Sequence, residues 1–255
     1  MMLLTRQNSL IQNLKNLRQE SQERILQQQI VITGRKVIEE ALKLKLPLLS
    51  LFRSPLCRPL SLASIDYSDY LVDDKTLAWA CGQDHFPKDG CAAIVKMPPS
   101  FIPTSNAKLL VLDRLQDPGN VGTLIRSAAA FKFDGVICLK PCCDPYNEKA
   151  IRASMGSCLH IPIYLCDYCD FELLVKNYAP NLYAADLDRS SRLVDSHFQW
   201  NPYPWLIIGN ESHGVSPELK ALANSVHIMI GSSVDSLNAA VAGSILLYAI
   251  SQSTS

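Results

Sequence analysis

The chain predicts an α/β protein in two parts, a small α/β domain over residues 1–98 and a parallel-sheet domain over 107–255, joined by a linker at 99–106. Three observations carry this prediction. From Lys108 onward, short apolar runs alternate with helical stretches, and nearly continuous apolar strands belong to parallel sheets covered on both faces. Before that, Pro98-Pro99-Ser100-Phe101-Ile102-Pro103-Thr104-Ser105-Asn106 holds three prolines and no periodicity, the composition of a connector. A length of 255 residues with 48% apolar content is enough for two packed cores.

In the first part, Asn8–Gln29 is polar, with Leu10, Ile11, Leu14 and Leu17 at helical spacing, and predicts one amphipathic helix with a basic side. Gln29–Thr33 then reads as a strand, and Gly34 opens a helix carrying Val37, Ile38, Ala41 and Leu42 on one face, which Pro47 closes. Leu48–Phe52 and Cys91–Met97 are further strands, with Lys75–Cys81 a helix between them. In the second part the predicted order is strand Lys108–Leu112, helix Val121–Phe131, strand Gly135–Leu139, helix Tyr146–Met155, strand Ile161–Leu165, helix Phe171–Tyr178 and strand Leu182–Ala185. Strand Trp205–Ile208, a short helix from Pro217, strand Val226–Ile230 and helix Leu237–Ile250 complete it. That last helix is apolar nearly all round, so it is either central or covered by a partner subunit.

Net charge is zero, but its distribution is uneven. Residues 1–58 hold ten Lys/Arg against four Glu, a net of +6, while 101–255 hold eleven against fourteen acidic residues. A basic segment beside a mildly acidic remainder suits one part that touches phosphate and another that holds a small ligand, although a solvated helix face gives the same count. Nine cysteines, odd in number and scattered, read as thiols of a reducing compartment. Cys166-Asp167-Tyr168-Cys169 has no second pair to complete a zinc site, so no metal is expected. Met1-Met2-Leu3-Leu4 is too short for a signal segment and no apolar run reaches ~18 residues, which predicts a cytoplasmic protein.

Three loops after apolar runs carry the chemistry: Asp117-Pro118-Gly119-Asn120-Val121-Gly122-Thr123-Leu124-Ile125-Arg126, Ile208-Gly209-Asn210-Glu211-Ser212-His213-Gly214, and Val234-Asp235-Ser236-Leu237-Asn238-Ala239. In parallel sheets such strand-end turns converge on a ligand. Neither a dinucleotide fingerprint nor a P-loop is present, and no nucleophile elbow or His-Glu-x-x-His, which weighs against dehydrogenase, kinase and hydrolase chemistry. Taken singly, Asn120 and Ser236 suit helix N-caps, Glu211 a loop-amide acceptor and Arg126 an exposed helix position. His213 and His227 are assigned no role.

In order and spacing, Asn120-x-Gly122-x-x-x-Arg126, Gly209-x-Glu211-x-x-Gly214 and Asp235-Ser236-Leu237-Asn238 resemble the three motifs of the SpoU (TrmH-like) branch of SPOUT methyltransferases. Ile151-Arg152-Ala153-Ser154-Met155-Gly156-Ser157 and His160-Ile161-Pro162 are similar to the connecting segment of ribosomal-RNA members. Thr5-Arg6-Gln7-Asn8 and Ile32-Thr33-Gly34-Arg35-Lys36-Val37-Ile38-Glu39-Glu40-Ala41 resemble the L30e-like substrate-binding domain of that subfamily. The resemblance implies a C-terminal trefoil knot, a homodimer formed through it, and transfer of a methyl group from S-adenosyl-L-methionine to a ribose 2′-hydroxyl of RNA. It also implies that Arg126, Asn120, Glu211, Ser236 and Asn238 form the catalytic set. Ile208, Gly209, Gly214, Ile228, Ile230, Leu237 and Asn238 would hold the cofactor. One departure stands out: Ile228-Met229-Ile230-Gly231-Ser232-Ser233 replaces the family's usual Ile-Pro-Met-x-Gly-Gly, which alters loop rigidity.

The implied chemistry fits these residues. A sulfonium-activated methyl supplies its own electrophilicity, so the protein's task is alignment, worth about 7–11 kcal/mol in favourable cases. Arginine stays protonated in proteins, so Arg126 is better suited to gripping phosphate and stabilising alkoxide charge than to serving as a simple base. Arg6, Lys15, Arg18, Arg35 and Lys36 are expected to bind structured RNA, with ribosomal RNA favoured. Transfer RNA as substrate, or a non-catalytic RNA-binding assembly factor, remain as alternatives.

Overall fold

The computed structural model describes residues 3–58, 60, 67–86, 90–186, 188 and 191–253; Met1 and Met2, part of the predicted non-signal start, lie outside them. The chain divides into two compact units, Met1–Pro98 with Tyr146–Arg152, and Pro99–Pro145 with Ala153–Ser255.

The first unit runs α1 (Ser9–Gln19), α2 (Ser21–Gln27), β1 (Gln29–Thr33), α3 (Arg35–Lys43), β2 (Leu48–Arg53), β3 (Ser68–Leu71), α4 (Asp74–Cys81) and β4 (Cys91–Lys96). Its sheet order is β1-β4-β2-β3, antiparallel except for the β2/β3 pair. Ile11, Leu14 and Leu17 of α1 meet Leu77, Ala78 and Cys81 of α4 and Val31, Phe52 and Ile94 of the sheet in one core. The predicted single first helix is broken at Glu20 into α1 and α2. Buried Arg24 explains the break: its guanidinium Nη1 donates to the carbonyls of Leu17 (2.6 Å) and Arg18 (2.9 Å), satisfying the orphan acceptors at the end of α1. β3, absent from the prediction, is a four-residue edge strand that is largely half-buried.

The second unit runs β5 (Leu109–Asp113), α5 (Pro118–Ala130) and β6 (Gly135–Leu139). Then come α6 (Glu148–Ala153), which falls mostly in the segment grouped with the first unit, and a 3-10 turn at Ser157–Leu159. β7 (Ile163–Cys166), α7 (Tyr168–Tyr178), β8 (Asn181–Ala185), β9 (Arg192–Leu193), β10 (Pro204–Ile208), α8 (Pro217–Leu222), β11 (Asn224–His227) and α9 (Ala239–Ser253) follow. Among the described residues the strands form one seven-stranded parallel sheet in the order β7-β6-β5-β10-β8-β11-β9. β5, β6 and β10 are buried at every position, as their unbroken apolar runs require. Trp205 is fully buried against Phe171, and its indole Nε1 donates to the Ala107 carbonyl at 3.1 Å.

Two boundaries differ from the sequence reading in ways that shape the site. The strand predicted over Val226–Ile230 ends at His227, so Ile228, Met229 and Ile230 leave the sheet. The last helix begins at Ala239 because the side chain of Asn238 caps it, its Oδ1 accepting from the amides of Ala240 (2.9 Å) and Val241 (3.3 Å). α9 buries Ala240, Gly243, Leu246, Leu247 and Ile250 against the unit and leaves Val241, Ile245 and Tyr248 exposed.

All nine thiols are free. Burial pushes the Cys81 and Cys158 thiols up to about 12, which keeps them protonated and inert. Among the described residues no His/Cys/Asp/Glu cluster could hold a metal ion, and no helix is long and apolar enough to cross a membrane.

Candidate active site

α5 starts where β5 leaves the sheet. Asp117 is its N-cap, with Oδ1 accepting from the Asn120 amide at 2.8 Å, and Pro118 occupies the first turn where no amide proton is needed. The cap is therefore Asp117 and not Asn120, which frees the Asn120 side chain for a longer reach. Its Nδ2 donates to Glu211 Oε1 at 2.9 Å, and its Oδ1 accepts from Asn238 Nδ2 at 3.0 Å. One residue from each of the three loops thus meets in a continuous chain, Glu211–Asn120–Asn238. Asn120 is the central link.

The Glu211 loop is held by its own turn. Asn210 and Gly214 exchange backbone hydrogen bonds of 3.0 and 2.8 Å, with Gly214 at φ +66°. Asn210 is the internal strut: Nδ2 donates to the Arg114 carbonyl at 3.0 Å, which fixes the amide orientation, and Oδ1 accepts from the amides of Ser212 (2.9 Å) and His213 (3.2 Å). His213 Nδ1, 3.1 Å from the same oxygen, is consequently the donor, leaving Nε2 unprotonated in the neutral ring. Gly209 sits directly beneath this turn; a Cβ there would lie 2.1 Å from Gly214 C and Val215 N.

Below the turn, buried Asp113 closes β5. Its Oδ2 accepts from the Ser216 amide at 2.7 Å and its Oδ1 from Arg114 Nε at 3.0 Å, while Arg114 Nη2 reaches the Gly214 carbonyl at 3.3 Å. Asp113, Arg114 and Asn210 form the scaffold of the second loop, and the sequence analysis assigned them nothing. The available signal was a carboxylate and a guanidinium directly after the apolar run Leu109–Leu112.

A cavity of about 410 Å³ is walled in part by the segment that leads into Asn238. Ile228, Ile230 and Leu237 line it with Ala242 and Leu246, and Asp186, His227, Ser232 and Asp235 supply polar groups. Ile208, Gly209, Gly214 and Asn238 are not among its lining residues, and neither are Asn120 and Glu211. Ile208 instead packs behind α9, where a Cβ on Gly243 would come within 3.2 Å of Ile208 Cγ1 and 2.4 Å of Leu124 Cδ2. Lys220 holds Asp186 at 2.8–2.9 Å, and His227 Nδ1 meets Ser191 Oγ at 3.0 Å. Ser232 and exposed Met229, the two departures from the family pattern, both stand in the wall. Ser236 is exposed and outside it.

Arg126 is not part of the hydrogen-bonded chain. Six residues further along α5 than Asn120, it is exposed and makes no hydrogen bond or ion pair among the described residues. One turn before it, Thr123 shares an open groove with Ala240, Val241, Ser244, Ile245 and Tyr248 of α9. α5 and α9 are fastened along that side by Ser127 and Ser244, whose hydroxyls are 2.7 Å apart.

In the first unit, Arg6, Lys15 and Arg18 gather around α1 and α4. Arg35 donates to the Arg58 carbonyl and lies 3.7 Å from Glu39, and Lys36 is exposed at the start of α3.

A cavity at the ends of β8 and β11, and a hydrogen-bonded chain that links three loops, mark the site of a parallel α/β domain. A family model described as the SpoU rRNA Methylase family matches residues 107–248, and the chain belongs to that family. It is 32% identical over 158 residues to the 23S rRNA (guanosine(2553)-2′-O)-methyltransferase RlmP of Bacillus subtilis, covering 62% of each chain. It is 35% identical over 185 residues to an uncharacterized tRNA/rRNA methyltransferase of Synechocystis, covering 70% of this chain and 65% of that one. The chain therefore spans less than two thirds of these curated relatives. The crystal structure of the SpoU methyltransferase AviRb from Streptomyces viridochromogenes with AdoMet has the same fold, with a TM-score of 0.84 at 24% identity over 97% of this chain and 98% of that one.

Proposed function

We propose that this chain is an S-adenosylmethionine-dependent RNA methyltransferase that modifies a ribose 2′-hydroxyl of ribosomal RNA. The observation that carries the reading is the meeting of Glu211, Asn120 and Asn238, with Asp235 and Leu237 of the same third loop in the cavity wall. Family membership and the names of the relatives support the substrate class.

The cavity fits the cofactor on its own terms. Its volume lies within the roughly 300–1,000 Å³ of small-molecule sites, its apolar residues suit an adenine, and its carboxylates and exposed loop backbone suit ribose and amino-acid groups. Ile228, Ile230 and Leu237 would hold the base, and Asp186 and Asp235 the polar groups. When bound, the cofactor supplies an activated methyl group. Glu211 holds Asn120, and Asn238 fixes the opposite end of the same amide, so Asn120 has one orientation. Arg126, exposed on α5, carries the positive charge that would stabilise the 2′-oxygen as its proton departs to water. Gly209 and Gly214 keep the second loop in place, and Ser236 lies next to Leu237 at the open edge.

The finer architecture follows the same reading. β10 inserted between β5 and β8, with Asn238 linked to Glu211 through Asn120, supports a trefoil knot. The four-stranded sheet with helices in the first unit supports an L30e-like RNA-binding domain over 1–98, followed by a linker at 99–106 and the methyltransferase domain at 107–255. Free thiols support a reducing compartment such as the cytoplasm. Val241, Ile245 and Tyr248 give α9 an apolar outer side that supports a homodimer. Ile245→Asp is expected to shift the protein from dimer to monomer in light scattering at micromolar concentration; an unchanged mass removes α9 from the interface.

Titration calorimetry with S-adenosylmethionine and transfer of labelled methyl to 23S rRNA test the function. Heat of binding together with alkali-resistant 2′-O-methyl product is expected, and Arg126→Ala is expected to keep binding both ligands while losing turnover. Absence of heat would leave a non-catalytic RNA-binding protein. Labelling of transfer RNA alone would move the substrate, and a normal kcat in Arg126→Ala would remove that residue's role.

A further inference from the structure

Trp79 lies on α4, half-buried against the core of the first unit, and two cations from other elements are stationed over its ring. The Arg6 guanidinium carbon is 5.3 Å and the Lys15 Nζ 4.7 Å from the ring centroid, within cation–π range. Arg6 comes from the segment ahead of α1 and also reaches the Lys75 carbonyl at 3.5 Å; Lys15 comes from the second turn of α1. Arg18, one turn beyond Lys15, donates from Nε to the Ala80 carbonyl at 2.9 Å, and its guanidinium fills the space above Gly82. Exposed Lys75 precedes Trp79 by one turn of α4.

None of these cations is ion-paired among the described residues. The Asp73 carboxylate, also at the start of α4, is engaged with the Thr76 amide it caps. Elsewhere in the same unit the pattern is different: Arg53 is bound by Asp69 at 2.9 Å and Arg35 lies against Glu39. Long basic side chains lose considerable rotamer freedom when fixed in place. An aromatic face restrains them before a ligand arrives without cancelling their charge. Unneutralised cations held at defined points are the chemistry that recognises phosphodiester oxygens, which position a nucleic acid without reading its sequence.

We propose that Trp79 organises a phosphodiester-binding site for the RNA backbone, with Arg6 and Lys15 making the contacts and Lys75 and Arg18 extending the field. The site rests on the RNA-methyltransferase reading above and adds to it Trp79 as a positioning residue and Lys75 as a charge. Arg35 and Lys36, on α3, are outside it.

The test uses the full chain, in vitro transcribed 23S rRNA and filter binding across a salt series. Arg6→Gln/Lys15→Gln is expected to weaken binding about tenfold and to reduce the slope of log affinity against log salt by roughly 0.7–0.9 for each phosphate no longer neutralised. Trp79→Leu, with every cation retained, is expected to weaken binding about fivefold, and Trp79→Phe to recover part of that loss. In the triple variant the Trp79 effect should disappear, because the ring acts through the two cations. Thermal midpoint and S-adenosylmethionine binding are the controls for folding; if Trp79→Leu fails them, Trp79→Phe and the charge variant decide. Unchanged affinity and slope in Arg6→Gln/Lys15→Gln would overturn the site while leaving the methyltransferase reading intact, and additive Trp79 effects would overturn its positioning role. Failure of the wild type to bind rRNA at all would overturn both.

Discussion

Asn120→Ala is expected to lower single-turnover methyl transfer by about 10²–10³, the scale of losing one preorganised polar group at a reaction centre. The substitution severs both the 2.9 Å bond to Glu211 and the 3.0 Å bond from Asn238, so neither loop is any longer tied to the start of α5. Fold stability should change little, because the cap of α5 is Asp117 and the alanine remains helical. Asn120→Asp sharpens the measurement: it has the same shape but turns a donor into a carboxylate facing Glu211, and like charges at that separation disfavour joint ionisation. Activity of Asn120→Asp should therefore be impaired near neutral pH and partly recover as the pair takes up a proton on acidification. A kcat within about threefold of wild type in Asn120→Ala would show that the junction is only a structural brace.

The second large effect is expected from Gly209→Ala. An added Cβ would meet the Gly214 carbonyl carbon and the Val215 nitrogen at 2.1 Å and the Gly214 oxygen at 2.3 Å, all of them backbone atoms that cannot rotate aside. The turn must then move, and with it the paired Asn210 and Gly214 amides and the Arg114 and Ser216 contacts that anchor them. Overpacking costs about 1–3 kcal/mol, and a clash with fixed backbone atoms puts this substitution at the upper end, about 3 kcal/mol. Denaturant unfolding measures it, with loss of S-adenosylmethionine binding expected alongside. Gly231→Ala is the matched control, since its Cβ would approach only Ser233 Oγ, at 3.9 Å. Equal stability of the two variants would mean that the loop is far more plastic than its hydrogen bonds imply.

Much of the sheet was legible because burial on both faces leaves a local imprint. Gln29–Thr33 and Gly135–Leu139 occur with the bounds their apolar runs predict, and β5, β8 and β10 start or end within one residue of theirs. β3 and the two-residue β9 left no such imprint, being short and incompletely buried. The break between α1 and α2 was also hidden: the Arg24 side chain reaches back to carbonyls of a preceding turn, and helical periodicity does not encode that. Nor does any local pattern disclose that β10 pairs between β5 and β8, because strand order is settled by the whole chain.

At the site, the three loops named their participants but not their pairing. Asn120, Glu211 and Asn238 converge, whereas Arg126, in the same motif as Asn120, stands apart because six residues along a helix carry it to a different face. The supports, Asp113, Arg114 and Asn210, were silent because each is an ordinary polar residue whose purpose depends on residues about a hundred positions away. Ending β11 at His227 had a similar origin. Ile228 and Ile230 continue the apolar pattern of a strand, yet they serve as cavity wall.

Asn238 spends its two ends on different neighbours: the oxygen secures the first turn of α9 and the nitrogen secures Asn120. If the outer side of α9 is where a second copy sits, the two events share a single amide, and their free energies are reciprocally linked. On the dimeric methyltransferase reading proposed above, whatever steadies the helix start also steadies Asn120, so an assembled pair of subunits and a competent catalytic geometry should arise and fade together upon dilution.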